Sequence, residues 1–312
     1  MKLLDLALWA CTAIAVALPA AVSAAETRPA AKISAAVTKG RQKIDGIDYY
    51  YEIHGKGEPL LLLHGGLGST DMFGAVLPQL AAHRQVIAVD YQGHGRTPLG
   101  DRPFSCQANA DDMTALVAKL GHPQVDVLGY SLGGCVALRM AIQKPASVRR
   151  LALVSAAYSD EGFYPGIRAQ QNGLTAAAAP MMKDTPMYQS YAAVAPNVDE
   201  FPRLLDTLGD FMRAHFDWSA EVKQLKLPVM LVYGDGDMYR PEYMVKFYQL
   251  LGGGLQDAGW GRETLSQNRL AILPDLTHYD IFASPRLATT VLPFLDGTKD
   301  VKSWAEQVEA AH

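Results

Sequence analysis

Cysteine is scarce in this chain, with three residues in 312, too few to staple a fold by disulfides. No run of basic residues occurs and the formal net charge is −4, which argues against nucleic acid as a partner. The chain holds no H-E-x-x-H, no G-x-x-x-x-G-K-[ST] and no G-x-G-x-x-G after a strand, so neither a metal nor a nucleotide cofactor is expected. Internal repeats and low-complexity tracts are absent as well. What is present is an ordinary globular composition, 49% hydrophobic and 19% charged. The length suits a large core in one or two domains.

The N-terminus differs from the rest. Met1-Lys2 precedes an almost unbroken apolar stretch from Leu3 to Ala21, which ends in the small residues Val22-Ser23-Ala24-Ala25. This pattern reads as a signal peptide over 1–24, removed from a secreted or periplasmic protein. An uncleaved membrane anchor is the alternative, because the stretch is long enough to span if Asp5 is tolerated. Cys11 leaves with the signal. Cys106 and Cys135 remain, and the sequence fits a disulfide or two buried thiols equally.

Residues 25–40, rich in Ala, Thr, Lys and Pro, read as a linker. Short apolar runs then recur at Leu60–Leu63, Val86–Val89, Val125–Leu128, Leu151–Val154, Val229–Val232 and Leu270–Leu273. Such runs are what strands buried on both faces of a parallel sheet look like. Helical patterns lie between them, among them Met113, Leu116, Val117 and Leu120. The segment Ile47–Ile53 reads as an antiparallel edge hairpin strand. The expected fold is α/β, an open, mostly parallel sheet with helices on both faces. Its two parts span 41–157 and 223–297. Between them 158–222 reads as a helical lid leaving the carboxyl end of a strand, where ligands bind in open sheets. Residues 298–312 read as a C-terminal helical tail, and Gly252–Trp260 as a surface loop.

The stretch Gly129-Tyr130-Ser131-Leu132-Gly133-Gly134 places a lone hydroxyl among glycines. A strand precedes it, and a helix from Leu132 to Gln143, closed by Pro145, follows. This strand–turn–helix setting is what the G-x-S-x-G nucleophile turn requires: the serine takes a strained backbone and bulky neighbours would clash across it. The helix also aims its free N–H groups at the same spot.

A serine hydroxyl needs a base, usually histidine, which a carboxylate holds. After Ser131 come His215 in the lid, His278, and the terminal His312. His278 follows the Leu270–Leu273 run and a turn at Pro274-Asp275-Leu276-Thr277, so it is the candidate base. Asp235 and Asp237, after the Val229–Val232 run, are the candidate acids, and Asp237 is favoured because it lies further out, where the loop can curl back. The backbone N–H groups of Leu132 and Gly66 are the candidate oxyanion donors, with Leu67 the second choice after Gly66. His64, at the end of a strand, reads as a loop anchor, and His94, in Asp90-Tyr91-Gln92-Gly93-His94-Gly95-Arg96-Thr97, as part of a Gly-shaped turn. Met181, Met182, Met187, Tyr188 and Tyr191 suit either an apolar pocket or the packing of the lid.

Taken together, H-G-G-L-G, D-Y-Q-G-H-G-R-T, G-Y-S-L-G-G, G-D-G-D and T-H-Y-D resemble the α/β-hydrolase superfamily, in its single-domain, esterase-like members with a cap. The resemblance covers roughly residues 41–297. It implies an eight-stranded sheet, a triad of Ser131, Asp237 and His278, and an acid three residues after the glycine of G-D-x-D. Dehalogenase and epoxide hydrolase members carry Asp where this chain has Ser131. Leu67, Tyr130 and Leu132 depart from proline iminopeptidase patterns, and the third glycine of H-G-G-G lipases is missing. The expected activity is hydrolysis of carboxylic esters of a small molecule with an apolar part, without a cofactor and without a stable membrane partner. A lactonase, peptidase or C–C hydrolase on the same residues, and a non-catalytic binding protein, are the alternatives.

Overall fold

A computed structural model describes residues 37–298 and 302–310. The segment read as a signal peptide, and most of the one read as a linker, lie outside the described residues. No helix among those described is long and apolar enough to cross a membrane.

Eight strands form one sheet in the order β1-β2-β4-β3-β5-β6-β7-β8. They are β1 (Thr38–Ile44), β2 (Ile47–His54), β3 (Pro59–Leu63), β4 (Gln85–Val89), β5 (Val125–Tyr130), β6 (Val148–Val154), β7 (Val229–Gly236) and β8 (Arg269–Thr277). Strands β1 and β2 form an antiparallel hairpin, and β2 runs antiparallel to β4; every other pairing is parallel. The expected mostly parallel sheet is therefore present, with one correction at its margin. The Ile47–Ile53 segment is a hairpin strand but not the edge. That place belongs to β1, whose polar sequence Thr38-Lys39-Gly40-Arg41-Gln42-Lys43 carries no apolar run.

The short apolar runs are buried on both sides, and successive residues serve two cores. In β3, Leu61 and Leu63 join one core while Leu60 and Leu62 join the other. This is the two-residue period of a strand covered on both faces. The first face is covered by α2 (Cys106–Lys119), α3 (Leu132–Gln143) and α9 (Pro241–Leu250), through Met113, Val136, Met140 and Phe247. The second is covered by α1 (Val76–Ala81) and α10 (Pro285–Asp296), through Val76, Leu80, Leu287 and Val291. A disulfide joins Cys106, the first residue of α2, to Cys135 in α3, with Cα atoms 5.9 Å apart. Of the two states open to these cysteines, the fold takes the bonded one.

Between β6 and β7 the chain leaves the sheet. It forms α4 (Pro165–Asn172), α5 (Ala179–Met182), α6 (Pro186–Ala192), α7 (Phe201–Arg213) and α8 (Ser219–Val222). Helix α7 buries Phe201, Leu204, Leu205 and Leu208, the i, i+3, i+4, i+7 stripe of an amphipathic helix. Near the C-terminus, α11 (Trp304–Glu309) starts with a capping box between Ser303 and Glu306.

Candidate active site

Ser131 is the single residue between β5 and α3, and its backbone sits at φ 54°, ψ −117°. A non-glycine residue there costs on the order of 1–3 kcal/mol and persists only where its surroundings impose it. Here the Ser131 N–H donates to Val154 O of β6 at 2.9 Å, and the Ser131 carbonyl accepts from Cys135 N–H at 3.1 Å. The neighbouring glycines have separate reasons. A Cβ on Gly129 would lie 2.3 Å from Gly133 O, and one on Gly133 would lie 2.3 Å from the Tyr91 hydroxyl. A Cβ on Gly134 would meet Ala156 Cβ at 2.4 Å, so this third glycine lets the helix pass close to the end of β6.

The Ser131 hydroxyl lies 3.0 Å from His278 Nε2, and His278 Nδ1 lies 3.1 Å from Asp237 Oδ1. The imidazole and the carboxylate are buried, while Ser131 is partly exposed. Asp237 Oδ1 also accepts from Met238 N–H at 2.8 Å, and Oδ2 accepts from the Ser155 hydroxyl and from Gly234 N–H. Both carboxylate oxygens are thus occupied, which leaves the side chain no freedom to rotate. Asp235 is exposed and does not reach His278.

His278 arrives by a route that differs from the expected one. Pro274–Thr277 is not a free turn but the end of β8, paired to β7 through Gly236↔Thr277 with a register shift after Gly234. Asp275 supplies the kink with φ 59°. Strand β8 is the sheet edge, where a proline removes no ladder bond on the open side.

The loop after β3 supplies the other wall. Gly66, Leu67 and Leu132 border the same cavity as Ser131 and His278. Leu132 is the first residue of α3, so its N–H is one of the helix-end donors without an intrahelical acceptor. Leu67 has φ 56°, a second strained position beside the site. Beneath the loop, His64 and His94 are buried completely. His64 Nδ1 bonds Gly65 O at 2.7 Å and its Nε2 accepts from Tyr91 N–H at 3.4 Å, a pattern that needs the neutral ring. Burial pushes His64 down to about 4, and burial together with the nearby His64 pushes His94 down to about 3. Asp90 ties the neighbouring segment down by accepting from Thr70 N–H and Arg96 N–H.

Two contacts here have no counterpart in any sequence motif. Ser155, just past β6 at φ 47°, braces Asp237. The Tyr130 hydroxyl donates to the His278 carbonyl at 2.6 Å and its ring packs 5.2 Å from the imidazole, so the residue before Ser131 also fixes the loop that carries His278.

The cavity holds about 920 Å³ and is bounded by the loops of the sheet together with α4, α6 and α7. Of the five Met and Tyr residues weighed for pocket or packing, Met187 lines it. Met182, Tyr188 and Tyr191 pack into the core, and Met181 is exposed.

The model of the alpha/beta hydrolase fold matches residues 58–249. A protein of Azorhizobium caulinodans named for carbamate hydrolysis is 28% identical over 251 residues, 73% of this chain and 91% of its own. A pimeloyl-[acyl-carrier protein] methyl ester esterase of Neisseria meningitidis serogroup B is 29% identical over 241 residues, 72% of this chain and 89% of its own. A thermophilic esterase from Thermogutta terrifontis superposes with a TM-score of 0.64 at 20% identity, covering 83% of this chain and 98% of that one, and shares the fold.

Proposed function

The chain belongs to the alpha/beta hydrolase family, and from that premise we propose that it is a serine hydrolase of carboxylic esters acting through an acyl-enzyme on Ser131. One observation carries the reading: the unbroken run of hydrogen bonds from Ser131 Oγ through His278 to Asp237. In it Nδ1 of His278 donates to Asp237, which leaves Nε2 to accept the serine proton. Ser131 Oγ attacks the ester carbonyl as its proton passes to Nε2, and Asp237 stabilises the imidazolium. The N–H groups of Leu132 and Gly66 receive the developing oxyanion. As the tetrahedral intermediate collapses, Nε2 returns the proton to the departing alcohol. Water then attacks the acyl-enzyme by the same route and releases the acid and Ser131.

The name of the esterase relative supports an ester as substrate. The name of the carbamate relative favours a wider reading, hydrolysis of other acyl groups on the same residues. The helical segment over 158–222 acts as a lid in this reading. Export accompanies it, since a disulfide persists in an oxidising compartment. N-terminal sequencing of exported protein is expected to start near Ala25 or Glu26; an intact Lys2 would show an anchor instead.

A fluorophosphonate probe should label Ser131. Ser131→Ala should lose the label and at least ~10⁴-fold in kcat on esters while keeping its fold, because losing one member of such a unit leaves only binding and the oxyanion donors. A panel of esters, lactones, carbamates and aminoacyl amides ranks the acyl classes. Substantial turnover by the Ser131→Ala variant would move the nucleophile elsewhere.

A further inference from the structure

The cavity beside Ser131 is large, and its lining is mostly apolar. Its inner wall is hydrocarbon and thioether: Ile167 and Leu174 from α4 and the loop after it, Met187 from α6, and Leu208, Phe211 and Met212 from α7. Unbranched methionines and a partly exposed phenylalanine adapt to flexible apolar chains. Polar side chains border it as well, among them Ser69, Asp71, Gln170, Gln171, Thr185 and Ser190, of which Asp71, Gln170 and Ser190 are exposed.

The ionic groups on the wall are already matched. Among the described residues that line it, His278 aside, there is one guanidinium, Arg168, and one carboxylate, Asp71. Arg168 donates to Asp160 Oδ2 at 3.0 Å and to Met212 O at 2.5 Å, which ties α4 to α7. Asp71 accepts from Arg96 at 2.7 Å. A substrate carboxylate carried into this space would meet no free cation among the described residues that line it, and would lose its hydration without compensation. A volume of this size exceeds what an acetyl or butyryl group fills, and it falls within the range of sites that enclose whole drug-sized ligands.

We infer that this site selects uncharged esters whose acyl group is a hydrocarbon chain of about six to twelve carbons, and rejects half-esters that end in a carboxylate. The inference rests on the hydrolase reading and narrows its substrate class. Each buried methylene should raise kcat/KM about fourfold until the cavity is full.

The test measures kcat/KM for p-nitrophenyl acetate, butyrate, hexanoate, octanoate and decanoate below their micellar concentrations, together with p-nitrophenyl hydrogen adipate. The adipate matches the hexanoate in carbon count and carries a carboxylate in place of the terminal methyl. From acetate to hexanoate a rise on the order of 100-fold is expected, and the adipate should fall at least ~100-fold below the hexanoate. Val194→Trp, which adds bulk to a partly exposed lining position, should move the preferred chain to a shorter length. A flat series overturns the inference, as does an adipate turned over as fast as the hexanoate. A series of alkyl acetates that rises while the acyl series stays flat overturns the assignment to the acyl side. In each of these cases fluorophosphonate labelling of Ser131 leaves the hydrolase reading standing, whereas failure to label Ser131 with no ester turned over removes both.

Discussion

Two aspartates are buried near opposite ends of the sheet, and they are held in different ways. Asp126, near the start of β5, faces two guanidiniums. Arg149 approaches it with Nε at 2.9 Å and Nη2 at 2.9 Å, and Arg84, itself buried, bonds it and Asp296. Asp237, beyond β7, faces an imidazole, a hydroxyl and two backbone N–H groups. Arginine keeps its charge at any working pH, and hydrogen bonding to Asp126 raises the pKa of Arg149 further. No proton can move at that end. At the other end the partner is the one side chain that exchanges protons near neutrality. The backbone follows the same division: Leu67, Ser131 and Ser155 all take left-handed φ values near the site, whereas Asp126 lies within a strand. Asp45, in the turn between β1 and β2, and Arg262 take positive φ as well, so such backbone is not confined to the site; within the site it sets the positions of Ser131 and of the brace on Asp237.

Substituting both aspartates breaks the comparison most sharply. Asp237→Asn should lower kcat by about 10⁴-fold, because an amide can stabilise the wrong imidazole tautomer and cannot stabilise the imidazolium. Asp235→Asn should stay within about threefold of wild type. Turnover of one ester by both variants decides between them, and an inactive Asp235→Asn beside an active Asp237→Asn would reverse the assignment. Asp126→Asn should do the opposite. It leaves two arginines short of a buried counter-charge and should cost about 3–5 kcal/mol of stability. Its kcat at a temperature where it remains folded should be close to normal. Urea unfolding monitored beside turnover separates these effects, and a large loss of kcat in folded Asp126→Asn would deny the division of labour.

The residues that meet in the site were legible because each stands just past an apolar run, and such runs mark strands whose carboxyl ends share one rim. Ser131 carried a glycine-shaped motif as well, and His278 remained once the lid and the terminus claimed the other histidines. The preference for Asp237 over Asp235 rested on reach, and the side chain with the reach is the one against His278. What stayed hidden had no local pattern. Ser155 and the Tyr130 hydroxyl act across sequence separations of 82 and 148 residues, and a lone hydroxyl in a chain gives no sign of its partner. Asp126 interrupted an apolar run visibly, but its arginines lie on other segments. Strand β1 is polar because it is an edge, so hydrophobic periodicity passes over it.

A smaller effect tests how much of the site's order depends on its outer support. Ser155→Ala removes one donor from Asp237 Oδ2 while Gly234 N–H remains. A hydrogen bond to a charged group contributes about 1.5–3 kcal/mol, and partial compensation should leave a loss of about tenfold in kcat with KM little changed. The acid limb of the pH–rate profile should shift as well, since the carboxylate that favours the imidazolium is held differently. A Ser155→Ala variant that loses stability but keeps both kcat and the pH profile would make Ser155 a packing residue only.

The smallest effect concerns the two histidines beneath the loop after β3, which, unlike His278, have no hydrogen bond to a carboxylate among the described residues, Asp90 Oδ1 standing 3.9 Å from His64 Nε2. Their folded-state values, about 4 for His64 and about 3 for His94, lie below the ordinary histidine value of 6.5. As pH falls through 6.5 the unfolded chain takes up these protons while the folded chain does not, so stability is fully present above about pH 6.5 and declines below it. The decline starts near pH 6.5 and runs down to about 4 for His64 and about 3 for His94; its upper part, pH 6.5–5, lies above the range where most carboxylates titrate, and each histidine adds a slope of up to ~1.4 kcal/mol per pH unit. His94→Phe isolates one of the two: His94 Nε2 has no hydrogen-bond partner among the described residues, and its ring packs against Tyr91 and Phe104. The variant should therefore fold, and its Tm should depend less steeply on pH between 6.5 and 5 than that of wild type. Equal slopes in the two proteins would mean that His94 takes up its proton in the folded state, and that the loop does not rest on a neutral imidazole.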